Sequence, residues 1–122
     1  MTSRERVLKA INHKEPDRVP IDIGGMRSTG ITALAYRKLK EYLNINNHPI
    51  KLYDIWQQLA WVDDEILTYF HADVRSIERL YSVWWNPEIK LDEWKEGELT
   101  DGTKALVPKG FSPVKELSLI HI

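Results

Sequence analysis

Segments able to serve as β-strands are few in this chain, and that shortage limits what it can build more than any other feature. "RVPIDI" at 18–23 is short, carries β-branched residues and stops at Gly24-Gly25. "ADVRSI" at 72–77 is short and alternating, "IKLYDI" at 50–55 is a further candidate, and the flanks of Asp101-Gly102 read as a β-hairpin. Helical patterns separate these segments, which predicts an α/β plan with parallel strands. A parallel sheet must be covered on both faces, and two or three βα units cannot do that. The chain therefore reads as unfinished.

The helical patterns have clear start signals. Thr2 and Glu5 have capping-box spacing, Val7, Leu8 and Ile11 share the following face, and Pro16 is expected to end the helix. From Thr29 or Gly30 to Leu43, the stripe Ile31, Leu34, Ala35, Leu39, Tyr42 and Leu43 predicts a second helix, closed by "NINNHP". "WQQLAWVDDEILTYF" reads as one or two helices, with Asp63 as an N-cap and Trp56, Leu59 and Trp61 in the core. "ERLYSVWWNPEIKLDEW" reads as an aromatic, loop-like stretch.

Composition excludes several function classes. The 122 residues are 43% hydrophobic and 29% charged, which suits one globular domain. Seventeen basic against eighteen acidic residues leave a net charge of −1, so no bulk affinity for nucleic acid or an anionic membrane is expected. Cysteine is absent, which removes disulfides and thiolate metal sites. The N-terminus lacks an apolar signal-type region and no apolar run approaches 18 residues, so a cytoplasmic location is the default expectation.

Three blocks carry a family resemblance: "TSRERVLKAINHKEPDRVPIDIGG", "TGITALAYRKLKEYL" and "DIWQQLAWVDDEILTYFHADVR". In this order they resemble the N-terminal part of the uroporphyrinogen decarboxylase-like superfamily, over roughly residues 2–110. The resemblance implies a (β/α)8 TIM barrel, a fold of about 250 residues. The chain would then be an incomplete N-terminal portion of it, with residues 1–116 in the barrel domain and "LSLIHI" at 117–122 a non-native tail. For function it implies a lyase of porphyrin biosynthesis, a decarboxylase removing carboxyl groups from a tetrapyrrole without a cofactor. An alternative within the superfamily is a methyltransferase that uses zinc and a corrinoid partner protein, with a methyl-donor substrate and metal ligands outside this fragment. On either reading the fragment alone is expected to be inactive. A second alternative, from a different class, is a small non-enzymatic, aromatic-rich binding domain.

"GGMRSTG" at 24–30 is the most chemically suggestive segment. A P-loop needs Lys-Ser/Thr after its last glycine and a dinucleotide fingerprint needs G-x-G-x-x-G; Gly24, Gly25 and Gly30 fit neither. The resemblance implies that this loop carries substrate-gripping arginines on the barrel's active-site face. Met26-Arg27 matches that pattern, but its second arginine is missing, since Ile31 follows Gly30. Arg27 is thus the first candidate for contacting an anionic substrate, followed by Asp22 inside the expected first strand and Arg75 beside the second. The aspartate that the resemblance implies after strand two is absent; Glu78 could stand in, and Asp73 is a poor match because it precedes the strand. His13, His48, His71 and His121 have no i, i+4 partner, so no zinc pair is written here. His13 is expected to end the first helix.

Overall fold

In a computed structural model of the chain, residues 1–54, 56–77, 93–99 and 101–110 are described. Most of the expected aromatic stretch, Glu78 and residues 117–122 lie outside them. The chain divides into two compact units. Unit 1 comprises Met1–Gly30 and Val62–Ile77; unit 2 comprises Ile31–Trp61 and the described residues from 93 onward.

Unit 1 begins with helix α1, Ser3–Ile11. Its capping box forms as expected: the Thr2 amide donates to Glu5 Oε2 at 2.8 Å and the Glu5 amide to Thr2 Oγ1 at 3.2 Å. The burial is inverted relative to the apolar stripe. Arg6 is the buried residue of α1, whereas Leu8 and Ile11 are exposed. The helix stops well before Pro16, with Asn12 as C-cap and His13 left-handed at φ 54°. Helix α3, Asp64–Tyr69, starts after Asp63 as expected, buries Ile66, and is followed by His71 at φ 55°.

Neither expected strand of unit 1 forms. Pro20 has no amide to give to a ladder, and the Ile21 amide donates to the Asp73 carboxylate at 2.8 Å. Asp22 then turns the chain by accepting the Gly25 amide at 2.7 Å. A single backbone bond, from the Asp73 amide to the Ile21 carbonyl at 2.8 Å, is what remains of a pairing between 18–23 and 72–77. Side-chain acceptors have displaced the sheet.

Unit 2 holds strand β1, Ile31–Thr32, helix α2, Ala33–Leu43, and strands β2, Leu52–Asp54, and β3, Leu59–Ala60. The three strands form a small antiparallel sheet in the order β1-β3-β2, with a bulge between Leu52 and Asp54. The expected helix over 56–61 is a hairpin instead. Asp54 Oδ1 caps the Gln57 amide at 2.7 Å, Gln58 turns left-handed at φ 55°, and the Trp61 amide returns to the Lys51 carbonyl at 2.7 Å. Trp56 and Trp61, expected in the core, are 50% and 37% exposed. Helix α2 also rotates from its expected stripe. Ala33, Tyr36 and Lys40 are buried while Leu34 and Tyr42 are exposed, because Lys40 Nζ donates inward to the His48 carbonyl at 2.6 Å.

The Asp101-Gly102 hairpin forms as expected. Strands β4, Trp94–Glu98, and β5, Lys104–Pro108, pair antiparallel from Trp94↔Pro108 to Glu98↔Lys104. Gly102 takes φ 86°, which the turn requires, and Asp101 accepts both the amide and the hydroxyl of buried Thr103. These hydrogen bonds, the Thr103 hydroxyl foremost, lower the Asp101 pKa. On its other side β5 meets the chain entering β2: the Leu106 amide donates to the Ile50 carbonyl at 2.6 Å. Three α-helices and two open antiparallel sheets thus replace the expected TIM barrel and its parallel strands among the described residues. The expectation failed because short β-type segments spend their amides on carboxylates and turns.

Candidate functional site

Unit 1 is organised around one carboxylate. The Asp73 side chain is fully buried and accepts from Ser3 Oγ (2.8 Å), Arg6 Nη1 (2.5 Å), Arg18 Nη1 (2.7 Å), Arg18 Nη2 (3.3 Å) and the Ile21 amide (2.8 Å). Burial alone would raise its pKa, but these donors outweigh it and hold the carboxyl well below the usual range. Arg6 also forks onto Asp17 at 2.7 and 3.0 Å. That bond, more than any other cause, lowers the Asp17 pKa to about 2 and, with Asp73, raises that of Arg6. The spacing over which this clamp closes hides it from a local reading of the sequence. The arginines and aspartates of "SRER", "PDR" and "ADVR" were its available signal.

The glycine-rich loop is built for packing. A Cβ on Gly25 would lie 2.5 Å from Asp22 Oδ1 and 2.7 Å from Val74 Cγ2, and one on Gly24, at φ 75°, would lie 2.9 Å from Val62 Cγ2. The amides of Gly24, Gly25, Met26, Thr29 and Gly30 all donate within the loop, to Thr29 O, Asp22 Oδ1, Thr29 Oγ1, Met26 O and Arg27 O respectively. A phosphate cradle needs such amides free to point at the ligand. This loop has spent them on its own shape.

The structure separates the three residues singled out from sequence into two settings. Exposed Asp22 caps the loop, and half-buried Arg27 opens the 3-10 turn Arg27–Thr29. Arg75 lies elsewhere in unit 1, in an exposed ion pair with Asp64. It lines a cleft of about 240 Å³ together with Ser3, Arg18, Leu67, Thr68, His71, Ala72 and Val74. Among the described residues, no carboxylate lines this cleft. Arg18 forms part of the wall, since its Nη hydrogens go to Asp73, the Val19 carbonyl and the His71 carbonyl. Arg75, His71, Thr68 and Ser3 supply the rest of its polar lining. Among the described residues, no group of three or more His, Cys, Asp or Glu could hold a metal ion, and no helix is long and apolar enough to cross a membrane.

Comparison of the chain with protein-family models, with curated proteins and with solved structures returned no match. The resemblance to the uroporphyrinogen decarboxylase-like superfamily is therefore corrected. Neither family nor fold comparison supports it, and the lyase, decarboxylase, methyltransferase, porphyrin and corrinoid expectations fall with it.

Proposed function

We propose that unit 1 is a small-molecule binding site for a compact anion, a carboxylate or phosphate ester, held in the cleft beside Arg75. The observation that carries this reading is the cleft's lining: two guanidinium groups, an imidazole and two hydroxyl side chains, with no carboxylate among them. Arg75 is available to the ligand because its pair with Asp64 is exposed on both sides, and such pairs contribute only ~0–1 kcal/mol. The Asp73 clamp fixes the wall against which the ligand sits, so little ordering is left for binding to accomplish. Arg27 belongs to this proposal as an outer contact for a longer anion, with Asp22 holding its loop through the Gly25 amide, because that loop packs Gly25 against Val74, which lines the cleft. Balanced charge supports a partner that is not a nucleic acid, and the cysteine-free composition suits a cytoplasmic setting.

The test is titration of the folded chain with inorganic phosphate and with succinate, followed by amide chemical shifts. Saturable shifts at 67–75 are expected, weakened at least tenfold by Arg75→Gln and partly restored by Arg75→Lys. Arg27→Ala should weaken succinate more than phosphate. Shifts that scale linearly with ionic strength, or affinities unchanged by Arg75→Gln in a chain with unaltered circular dichroism, would refute the assignment.

A further inference from the structure

We propose that the outer edge of β4 is a docking strand for an extended basic peptide segment of another protein, a function separate from the cleft of unit 1. The hydrogen-bond phase of the hairpin supports this first. The Lys109 amide donates to the Glu93 carbonyl and the Leu99 amide to the Thr103 carbonyl, both at 2.9 Å. In an antiparallel ladder directly opposed residues alternate between bonded and non-bonded pairs. Residues 93, 95, 97 and 99 therefore face β5, and the amides and carbonyls of Trp94, Glu96 and Glu98 point away from it. The same phase sends the Leu106 amide away from β4, where it meets Ile50. It also explains why Pro108, opposite Trp94, costs the hairpin no bond. Among the described residues no strand lies beyond β4.

Charge selects the occupant. Period two places the Glu96 and Glu98 side chains on one face of the strand, both exposed, with Lys104 opposite Glu98 on β5. A groove of about 670 Å³ crosses the face of the hairpin, from Glu96 and Glu98 over Lys104 and Leu106 to Ile50 on the far side of β5, so the two glutamates border it while the free backbone groups of β4 lie at the other edge. A second copy of the chain is a poor occupant. Antiparallel self-pairing centred on Glu96 opposes that carboxylate to itself, and like charges directly opposite destabilise a pair. A strand with lysines at alternate positions meets both glutamates, while on the opposite face Gly97 is already covered by the buried Val107 side chain of β5. Backbone bonds to an open edge supply affinity, and the alternating side chains supply selectivity.

The probes are two synthetic peptides, Lys-Val-Lys-Val-Lys-Val-Lys and its counterpart with glutamate in place of lysine. Hydrogen exchange at the amides of Trp94, Glu96 and Glu98 is measured in the free chain and in each complex. The proposal expects rapid exchange in the free chain, at least tenfold slowing with the lysine peptide, and at least tenfold weaker binding of the glutamate peptide. The double variant Glu96→Lys/Glu98→Lys, shown by circular dichroism to remain folded, should invert that preference. N-methylation of the lysine peptide on alternate residues should abolish binding. Three results overturn the proposal: these amides already protected in the free monomer, which means that the chain covers its own edge; protection that rises with protein concentration alone, which means a second copy; or equal binding of both peptides.

Discussion

Replacing Asp73 with asparagine should unlock unit 1. The substitution preserves shape and one acceptor oxygen, so the Ile21 amide can keep its bond. The other oxygen becomes an NH2 group that points donors at Arg6 Nη1 and Arg18 Nη2, while Arg18 Nη1 can keep its bond to the oxygen that the Ile21 amide uses. Removing one partner of a buried ion pair costs about 3–5 kcal/mol. Two features place this case at the low end, about 3 kcal/mol. Arg18 is 37% exposed and can recover water, and Arg6 keeps its fork on Asp17. On the scale of a domain's total stability, about 5–15 kcal/mol, that is a large fraction. Amide exchange is the appropriate assay, because every described tryptophan lies in unit 2 and fluorescence would not report on the clamp. At about 1.4 kcal/mol per decade, the Ile21 amide and those of α1 should exchange roughly a hundredfold faster in Asp73→Asn. Ser3→Ala, which removes one neutral donor to the same carboxylate, should cost only about 1 kcal/mol and serves as the internal scale. A loss below about 1 kcal/mol in Asp73→Asn, with Ile21 protection unchanged, would refute the view that this carboxylate organises the unit.

Acid should reproduce part of that effect in the unmodified chain. Asp17 is lowered to about 2 and Asp73 is also held low, so both folded values lie below the ordinary 3.8. Their stabilisation is then complete above about pH 5 and is lost as pH falls below 4, which urea midpoints at successive pH values will show as a decline that starts there and continues through pH 2. Gly25→Ala should destabilise by about 1–3 kcal/mol in thermal unfolding, since neither Asp22 nor Val74 can move aside without opening the loop. Conversely, His13→Gly should stabilise by roughly 0.5–1 kcal/mol in urea titrations, because a left-handed residue with a Cβ is strained and glycine is not.

What was legible in the sequence is what short-range chemistry decides. Thr2 with Glu5 and Asp101-Gly102 each act within a few residues, and both elements form where expected. Asn44 closes α2 in a left-handed turn, and Asp63 stands at the N-cap of α3 where expected, though its side chain makes no cap hydrogen bond there. Hydrophobic periodicity misled where a polar group set the local geometry. Lys40 turns α2 inward to reach a carbonyl, Arg6 turns α1 inward to reach two aspartates, and Asp54 folds the 56–61 segment into a hairpin. Asp73 was discounted because its place was judged against a strand that does not exist. Of the candidate site, Arg75 was visible as a cation, whereas its cleft depends on Ser3 and Arg18 reaching residues more than fifty positions away.

That separation has a consequence for the order in which the chain can fold. The contacts of Asp73 with Ser3, Arg6, Arg18 and Ile21 span 70, 67, 55 and 52 residues. Closing loops of that length is entropically costly and slow compared with forming a helix or a hairpin. During synthesis, Arg6 and Arg18 leave the ribosome lacking their shared acceptor, and all of unit 2's first segment must follow before Asp73 arrives. Helix α1 is thus made before unit 2's first segment and secured only after it, once residue 73 has cleared the exit tunnel.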